Sequence, residues 1–465
     1  MQFVSYGAAR EVTGSKHMFV ANGKKVLFDC GSFQGRRDEA RAKNEKLPFN
    51  PSELTAVVLS HAHIDHSGNL PTLVKQGFKG PIYCTAATKD LCDYMLRDSA
   101  FIQEKEAQYI NEKKAKKGEP PIEPLYTEKD ADDAIKQLRE VNFNEKTEIY
   151  PGFSVTFREA GHILGAALIE IEVIDENAQL KKIVFTGDLG RKGLPLLRDP
   201  YEVPEAEILI TESTYGNRLH ESFVDAESKL AEIINKTAAK GGKLIIPAFA
   251  LERTQEIVYS LNKLSKNGKI PQDLPVYVDS PLAVNVTEVF KKHKEFYDQE
   301  TLKEFVNDKQ DPFSFARLTY ITSVDDSKAL NNHIGPCIII SASGMCEFGR
   351  ILHHLRNNIE DHRNTVLIVG YMAENTLGRK LLEKERKVNI FGKPYEVNCT
   401  VEVIDAYSAH ADRSDLLSFA THIKGIKKVF LVHGEEKAQM AFKDALTQNG
   451  FKWIQIPQFG EVFEL

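Results

Sequence analysis

One short segment constrains this chain more than any other, because it places three histidines and an aspartate within six residues. The segment reads His61-Ala62-His63-Ile64-Asp65-His66. It directly follows the apolar run 55–60, which is typical of a buried strand. Its polar side chains are therefore expected in a loop at a strand's C-terminal end, where several ligand atoms can converge. Imidazole and carboxylate groups suit zinc, so the segment predicts a divalent metal site rather than a solvated polar loop.

Length and composition indicate a globular protein of two or three domains. The chain has 465 residues, of which 42% are hydrophobic and 27% charged, which is ordinary for a globular protein. The net charge of −6 argues against a protein that coats nucleic acid through its overall charge. A local basic groove is still allowed, because 60 lysines and arginines are present.

Cysteine usage and hydropathy predict a cytoplasmic protein. The six cysteines are scattered and form no C-x-x-C pair, so we expect reduced thiols and no disulfide framework. The N-terminus starts directly with an alternating strand pattern and shows no basic-then-apolar signal. No apolar run approaches the 18 residues that a membrane-spanning helix needs, and we expect no membrane association.

The rhythm of strands and helices changes along the chain and predicts two domains. Up to about residue 207, short strands joined by turns dominate. From 208 to 395, continuous apolar strands alternate with helices, as in a mostly parallel sheet covered by helices. From 396 onward short strands return. We therefore expect a discontinuous first domain, 1–207 and 396–465, interrupted by an inserted α/β domain, 208–395.

Further candidate ligands follow later strands. His162 and Asp188 each come just after a predicted strand and next to a glycine, which permits close backbone approach, and His433 stands in the same position near the C-terminus. A single histidine at a strand end is more often structural. Together with the segment 61–66, however, these residues supply five histidines and two aspartates. That set matches a pair of zinc ions sharing one carboxylate.

These positions resemble, in order, the successive motifs of metallo-β-lactamase-fold hydrolases: Asp29, the segment 61–66, His162 and Asp188. Three further stretches resemble the motifs of the β-CASP family: Thr211–Gly216 with Glu212, Ser408–Asp412 with His410, and His433. RNA-acting members of that family carry histidine at the third position, whereas DNA repair members typically carry valine. The resemblance covers nearly the whole chain. It implies a relative of the cleavage and polyadenylation nuclease and of the bacterial and archaeal ribonucleases of this group.

The resemblance implies a fold and a set of residue roles. The expected fold is α/β: an αββα sandwich with an inserted β-CASP domain built on a mostly parallel sheet. Two Zn²⁺ per chain are implied. The implied ligands are His61, His63 and His162 for one ion, Asp65, His66 and His433 for the other, and Asp188 between them. The implied catalytic residues are Asp65, Asp29 to orient a ligand, His410 to protonate the leaving oxygen, and Glu212 to orient His410.

The implied function is that of a zinc-dependent ribonuclease that hydrolyses phosphodiester bonds of single-stranded RNA. Action would be endonucleolytic, 5′-exonucleolytic or both, in a cleft between the domains, and would serve RNA processing or decay. The expected substrate contacts are Arg253, Ser343, Phe249 and Arg379. Because dimers are common among such relatives, a homodimer is also expected.

Three alternatives stay open at this point. A DNA nuclease of the same fold is disfavoured by His433. A small-molecule hydrolase acting on thioesters or lactones would lack a parallel-sheet insertion of this size. A catalytically silent scaffold would have lost ligands, whereas every expected ligand type is present here.

Overall fold

The protein is described by a computed structural model that covers residues 1–35, 37–220, 223–306, 311–370 and 372–465. Its contacts divide the chain into two compact units. Unit 1 comprises Met1–Gly193, Asp199–Leu219 and His410–Leu465, and unit 2 comprises Leu194–Arg198 and His220–Ala409.

The strands, numbered along the chain, are β1 (Gln2–Ser5), β2 (His17–Ala21), β3 (Lys24–Phe28), β4 (Leu54–Val58), β5 (Ile82–Cys84), β6 (Leu138–Glu140), β7 (Lys146–Tyr150), β8 (Phe153–Glu159), β9 (Ala167–Ile174), β10 (Leu180–Phe185), β11 (Ile208–Thr211), β12 (Lys243–Pro247), β13 (Val276–Asp279), β14 (Leu318–Ile321), β15 (Cys337–Ser341), β16 (Thr365–Ile368), β17 (Lys387–Ile390), β18 (Lys393–Glu396), β19 (Thr400–Val403), β20 (Lys428–Leu431), β21 (Ile454–Gln455) and β22 (Val462–Glu464).

The α-helices are α1 (Arg37–Glu45), α2 (Ile64–Ser67), α3 (Leu70–Lys75), α4 (Ala86–Ala115), α5 (Glu128–Ile135), α6 (Phe223–Ala239), α7 (Arg253–Lys266), α8 (Pro281–Lys292), α9 (Gln299–Thr301), α10 (Val324–Ala329), α11 (Arg350–Asn358), α12 (Leu377–Leu382), α13 (Arg413–His422) and α14 (Glu436–Gln448). Within the described ranges, no helix combines the length and the apolar character that crossing a membrane would require.

Unit 1 is built on two seven-stranded sheets. The first has the order β22-β1-β2-β3-β4-β5-β6 and the second β21-β20-β11-β10-β9-β8-β7. In each sheet an antiparallel part joins a parallel part. The parallel pairs are β3 with β4, β4 with β5 and β5 with β6 in the first sheet, and β10 with β11, β11 with β20 and β20 with β21 in the second.

The two sheets share one apolar core. Phe28 of β3 and Phe185 of β10 belong to the same buried cluster, with their ring centroids 5.5 Å apart. Side chains alternate between the two faces of a strand, so Leu27 and Val57, which are also fully buried, point away from this core. Helices must cover that outer face. The resulting αββα sandwich confirms the fold expected from the sequence.

Unit 2 has a six-stranded sheet of order β14-β13-β15-β12-β16-β19. Every neighbouring pair in it is parallel, which confirms the expected parallel sheet. Its strands are continuous apolar runs because helices cover the sheet: Ile245 and Ile339 are fully buried together with Ile351 and Leu355 of α11. A separate antiparallel hairpin is formed by β17 and β18.

The unit boundaries differ from the limits 208–395 expected for the insertion. Strand β11 begins at Ile208 but pairs with β10 and β20 in the second sheet of unit 1. Strand β19 begins after residue 396 but pairs with β16 in unit 2. Both are short strands in parallel pairing, and only their pairing partners assign them to a unit.

Gly31 holds two loops of unit 1 in close contact. The Gly31 N–H donates to the Ser15 carbonyl (2.9 Å) and the neighbouring Cys30 N–H to the His66 carbonyl (2.8 Å). A Cβ atom on Gly31 would lie 1.5 Å from the carbonyl oxygen of Asp65. We therefore expect Gly31→Ala to lower the free energy of unfolding by about 3 kcal/mol, measured by urea denaturation.

Gly23→Ala is the matched control for that substitution. Gly23 has a φ of 71°, but an added Cβ would meet nothing within 4 Å, so only the left-handed conformation, costing about 1 kcal/mol, opposes alanine. Equal losses in the two variants would contradict the close contact between the loops.

Candidate metal centre

The predicted ligand residues all lie in unit 1, beyond the C-terminal ends of its strands. The segment 61–66 follows β4, and His162 follows β8. Asp188 and His433 follow β10 and β20, which run in the same direction on either side of β11. Parallel strands bring their C-terminal ends to one edge of a sheet, so residues far apart in the sequence meet there.

Four donor atoms form a first group. His63 Nδ1 lies 3.1 Å from His61 Nε2 and 3.2 Å from His162 Nε2. The oxygen Oδ2 of Asp188 lies 3.5 Å from His61 Nε2 and 3.4 Å from His162 Nε2. All four residues are buried or nearly so.

A second group forms on the other oxygen of the same carboxylate. Asp188 Oδ1 lies 3.2 Å from His66 Nε2 and 3.5 Å from His433 Nε2. His433 Nε2 is in turn 3.4 Å from Asp65 Oδ2. Asp188 therefore presents one carboxylate oxygen to each group.

The spacing and the chemistry of these atoms fit bound metal ions. Zinc holds nitrogen and oxygen ligands at about 2.0–2.2 Å in a tetrahedron, which places ligand atoms about 3.3–3.6 Å apart. The separations of 3.1–3.5 Å agree with that spacing. Within the described part of the chain, three buried atoms of the second group make no hydrogen bond: His66 Nε2, Asp188 Oδ1 and His433 Nε2. Buried polar atoms normally have partners, and a cation would provide one here.

Hydrogen bonds at Nδ1 fix the tautomers of two of these histidines, His61 and His433. Ser60 Oγ donates to Asp29 Oδ2 (3.0 Å), so it accepts from His61 Nδ1 (3.0 Å). Thr214 Oγ1 likewise donates to the His433 carbonyl (3.2 Å) and accepts from His433 Nδ1 (3.0 Å). Protonation at Nδ1 leaves the Nε2 lone pair free for a metal ion. Sequence reasoning assigned no role to Ser60 or Thr214, although Ser60 directly precedes His61 and Thr214 lies within the stretch Thr211–Gly216.

Asp29 lies beside His66, and its orienting role stays a prediction. It is fully buried and its Oδ2 accepts from His66 Nδ1 at 2.7 Å. Its Oδ1 accepts from the Ser60 N–H at 2.8 Å. Asp29 adopts a φ of 60° and His433 a φ of 48°, a conformation that non-glycine residues rarely adopt and that clusters at functional sites.

Asp29→Asn should weaken metal binding, because the amide has one acceptor oxygen and cannot accept both from the Ser60 N–H and from His66 Nδ1. Loss of such an outer partner typically costs about 10- to 100-fold in metal affinity. Competition with a chromogenic chelator should therefore show that at least one of the two metal equivalents is bound more weakly. Asp444→Asn, at an exposed position of α14, is the control. Unchanged affinity for both metal equivalents would contradict an orienting role for Asp29.

His410 and Glu212 form a third group beside Asp188. Glu212 is fully buried and its two oxygens lie 3.1 and 3.2 Å from His410 Nδ1. The Leu189 N–H donates to Glu212 Oε1 at 2.6 Å and holds the carboxylate in place. His410 Nδ1 is 3.9 Å from Asp188 Oδ2, and the side chain of His410 keeps 16% of its exposure. His410 thus lies at the edge of the two donor groups and is partly exposed.

The surrounding protein groups shift the pKa values of four of these histidines in opposite directions. Burial lowers the pKa of His63 to about 4 and that of His61 well below its ordinary value. Burial also acts to lower the pKa of His66 and His410, but nearby carboxylates outweigh it. Asp188 and Asp29 raise the pKa of His66 well above its ordinary value, and Glu212 and Asp188 raise that of His410 to about 9.

The neighbouring histidines favour the ionised form of Asp188. Burial acts to raise the pKa of Asp188, but His433 and His66 hold it well below its ordinary value. A cation bound at His66 Nε2 would take the place of a proton there.

The four predicted substrate contacts lie in unit 2. Arg253 is 6% exposed and forms an ion pair with Glu256 within α7. Ser343 Oγ accepts from the Glu347 N–H at 3.1 Å. The ring of Phe249 lies against Gly344, where an added Cβ would be 2.7 Å from the ring. Arg379 Nε donates to Glu383 at 2.6 Å. Their contact with a substrate stays a prediction.

Comparison with known proteins assigns the family. A model of the metallo-β-lactamase superfamily matches residues 15–167, one of the Beta-Casp domain matches 254–381, and one of the Zn-dependent metallo-hydrolase RNA specificity domain matches 394–457. Ribonuclease TTHA0252 of Thermus thermophilus is 35% identical over 99% of this chain and 99% of that protein. The chain belongs to the β-CASP family of metallo-β-lactamase-fold hydrolases. The resemblance stated from the sequence is thereby confirmed.

Other β-CASP relatives are longer than this chain. The transcription termination factor FttA of Methanosarcina mazei is 31% identical over 94% of this chain and 67% of its own length. The cleavage and polyadenylation specificity factor 73 of Drosophila melanogaster is 31% identical over 96% of this chain and 61% of its own length. A protein of unknown function from Enterococcus faecalis shares the fold, with a TM-score of 0.55 at 15% identity over 100% of this chain and 99% of that one.

Proposed function

We propose that this chain is a zinc-dependent ribonuclease that hydrolyses phosphodiester bonds of single-stranded RNA in RNA processing or decay. One observation carries the proposal: the two oxygens of Asp188 face two separate groups of histidine donors. The similarity to a ribonuclease over 99% of the chain and the match to an RNA specificity domain support RNA as the substrate.

The seven donor residues would hold two Zn²⁺. His61, His63 and His162 would bind one ion, Asp65, His66 and His433 the other, and Asp188 would contact both. When bound, such ions supply a water nucleophile of lowered pKa and positive charge for phosphate oxygens. The chain's own outer groups, Asp29 among them, keep the imidazoles in the binding tautomer.

His410 would act as the general acid. Glu212 accepts at Nδ1, which leaves Nε2 as the atom that carries a proton to the leaving 3′ oxygen. The carboxylate of Glu212 also stabilises the protonated imidazole, since its charge raises the pKa of His410 against the effect of burial. A proton held at His410 is therefore available at neutral pH.

Cleavage of end-labelled RNA and DNA of one sequence, with and without a chelator, tests the proposal. We expect cleavage of RNA only, loss of activity with the chelator, and recovery on adding zinc. The length of the first labelled products separates endonucleolytic from 5′-exonucleolytic action. Equal degradation of both polymers would contradict the RNA assignment, and chelator-resistant cleavage would contradict the metal mechanism. The Asp188→Ala protein, purified in parallel, controls for contaminating nucleases.

A cytoplasmic location and a homodimer remain predictions. The cytoplasmic location is supported by six cysteines that are all free and buried, as is usual where thiols stay reduced. Fractionation of cells and sedimentation of the purified protein would test the two predictions.

A further inference from the structure

The long helix α4 of unit 1 carries an exposed row in which aromatic and cationic side chains alternate. We call Phe101, Lys105, Tyr109 and Lys113 the α4 ridge. Their spacing of four places them in one row along the helix surface. Phe101 is 49% and Tyr109 57% exposed, and both lysines are exposed as well.

The α4 ridge lies opposite the face by which the helix packs. Ala100 and Ala107 are buried. At about 100° of rotation per residue, the ridge lies roughly 100–220° around the helix from Ala100. Large exposed aromatic side chains that do not serve the core mark interaction surfaces when they occur together.

Each aromatic ring of the ridge is paired with the lysine one turn further along. Lys105 Nζ lies 5.5 Å from the centroid of Phe101, and Lys113 Nζ lies 4.2 Å from that of Tyr109. Positive charge therefore stands beside each exposed ring face. Residues 101–117 contain five lysines and three glutamates, in a chain whose net charge is −6, so this helix end is locally cationic on an acidic protein.

The start of α4 is hydrogen-bonded to a loop of the candidate metal centre. The Oγ1 atoms of Thr85 and Thr88 donate to the Gly165 carbonyl at 2.7 and 3.0 Å, and Gly165 is in the loop that carries His162. At about 1.5 Å per residue, Phe101 is about 22 Å along the helix from Ala86. The ridge continues for about 18 Å beyond Phe101.

We propose that the α4 ridge binds single-stranded RNA that extends away from the metal centre. Bases stack on Phe101 and Tyr109, and phosphates contact Lys105 and Lys113. Aromatic stacking accepts every base and a lysine row follows a phosphate backbone, so this binding is independent of sequence. An acidic peptide would pair with the lysines but would leave the exposed rings without a role. The inference rests on the proposed ribonuclease function and adds to it a second, non-catalytic RNA surface.

Two double variants test the two kinds of contact separately. Phe101→Ala/Tyr109→Ala removes the rings, and Lys105→Gln/Lys113→Gln removes the charges. Both introduce good helix formers, and circular dichroism together with metal content will show that fold and centre are intact. Substrates are a long unstructured RNA and an oligonucleotide too short to reach from the centre to the ridge.

For the long RNA, we expect the ring variant to raise KM about tenfold with kcat unchanged. The lysine variant should reduce the slope of log Kd against log salt by about 1.4. Both variants should cleave the short oligonucleotide like the wild type. The double variant Lys24→Ala/Phe459→Ala removes one exposed lysine and one ring that is 54% exposed, and it should change none of these values.

Unchanged KM and salt slope for the long RNA, or equal losses on both substrates, would overturn the proposal. Loss of a dimer in sedimentation with unchanged RNA affinity would also overturn it, since the ridge would then be a protein–protein surface. Fluorescence anisotropy with the long RNA measures binding without cleavage. If the wild type binds RNA through the ridge but cleaves none, the proposed function fails while the ridge stands.

Discussion

Asp188→Ala should lose both metal ions and at least about 10³-fold in turnover of RNA. One oxygen of Asp188 lies within 3.5 Å of a donor in the first group and the other within 3.5 Å of a donor in the second, so its removal disrupts both groups. Without it, the five imidazoles of the two groups lose the carboxylate that both groups share. Metal-ion catalysis is worth several kcal/mol of transition-state stabilisation, which sets the expected loss. Metal content by mass spectrometry should fall from two equivalents to less than one.

Two further variants serve as comparisons for Asp188→Ala: His61→Ala and Asp444→Ala. His61 belongs to the first group only, so its removal should spare at least part of one equivalent. Asp444 is exposed on α14, and its replacement should change neither metal content nor turnover. If Asp188→Ala kept two equivalents, or lost no more metal than His61→Ala, Asp188 would not join the two groups.

His410→Ala should retain both metal ions yet lose about 10²- to 10⁴-fold in turnover, the usual value of a positioned general acid. Its Nδ1 is held by Glu212 and lies 3.9 Å from the nearest oxygen of Asp188, farther than the distances of 3.1–3.5 Å that separate the donors themselves. Added imidazole should restore part of the activity, because a diffusing acid can replace the missing proton donor.

Metal content and turnover of His410→Ala together show whether His410 is a proton donor or a metal ligand. His422→Ala removes a half-exposed histidine of α13 and should leave both metal content and turnover unchanged. A variant His410→Ala that bound only one equivalent would show that His410 is a ligand. Full retention of turnover would show that another group protonates the leaving oxygen.

The first donor loop could be found from the sequence because its ligands are contiguous. Four ligand-type side chains directly after an apolar strand leave few other interpretations for the segment 61–66. His162, Asp188 and His433 were harder, since each alone looks like an ordinary strand-end residue. Parallel pairing of β10, β11 and β20 brings the last two together, and no local pattern contains that pairing.

The roles of the Ser60 and Thr214 hydroxyls and the unit boundaries could not be predicted from the sequence. Ser60 and Thr214 act through single hydrogen bonds at Nδ1, and serine and threonine are too common to signal such a role. β11 and β19 are strands of four residues each, and their composition does not tell which sheet they join. Arg253, the first residue of α7, pairs with Glu256 one turn later, a contact that its position after a strand did not indicate; its contact with a substrate stays a prediction.

Crystallographic anomalous scattering at the zinc edge tests the central claim most directly. The account predicts two anomalous peaks, one near Oδ2 of Asp188 among His61, His63 and His162, and one near Oδ1 among Asp65, His66 and His433. A single peak, peaks away from Asp188, or no peak in protein that cleaves RNA would contradict it.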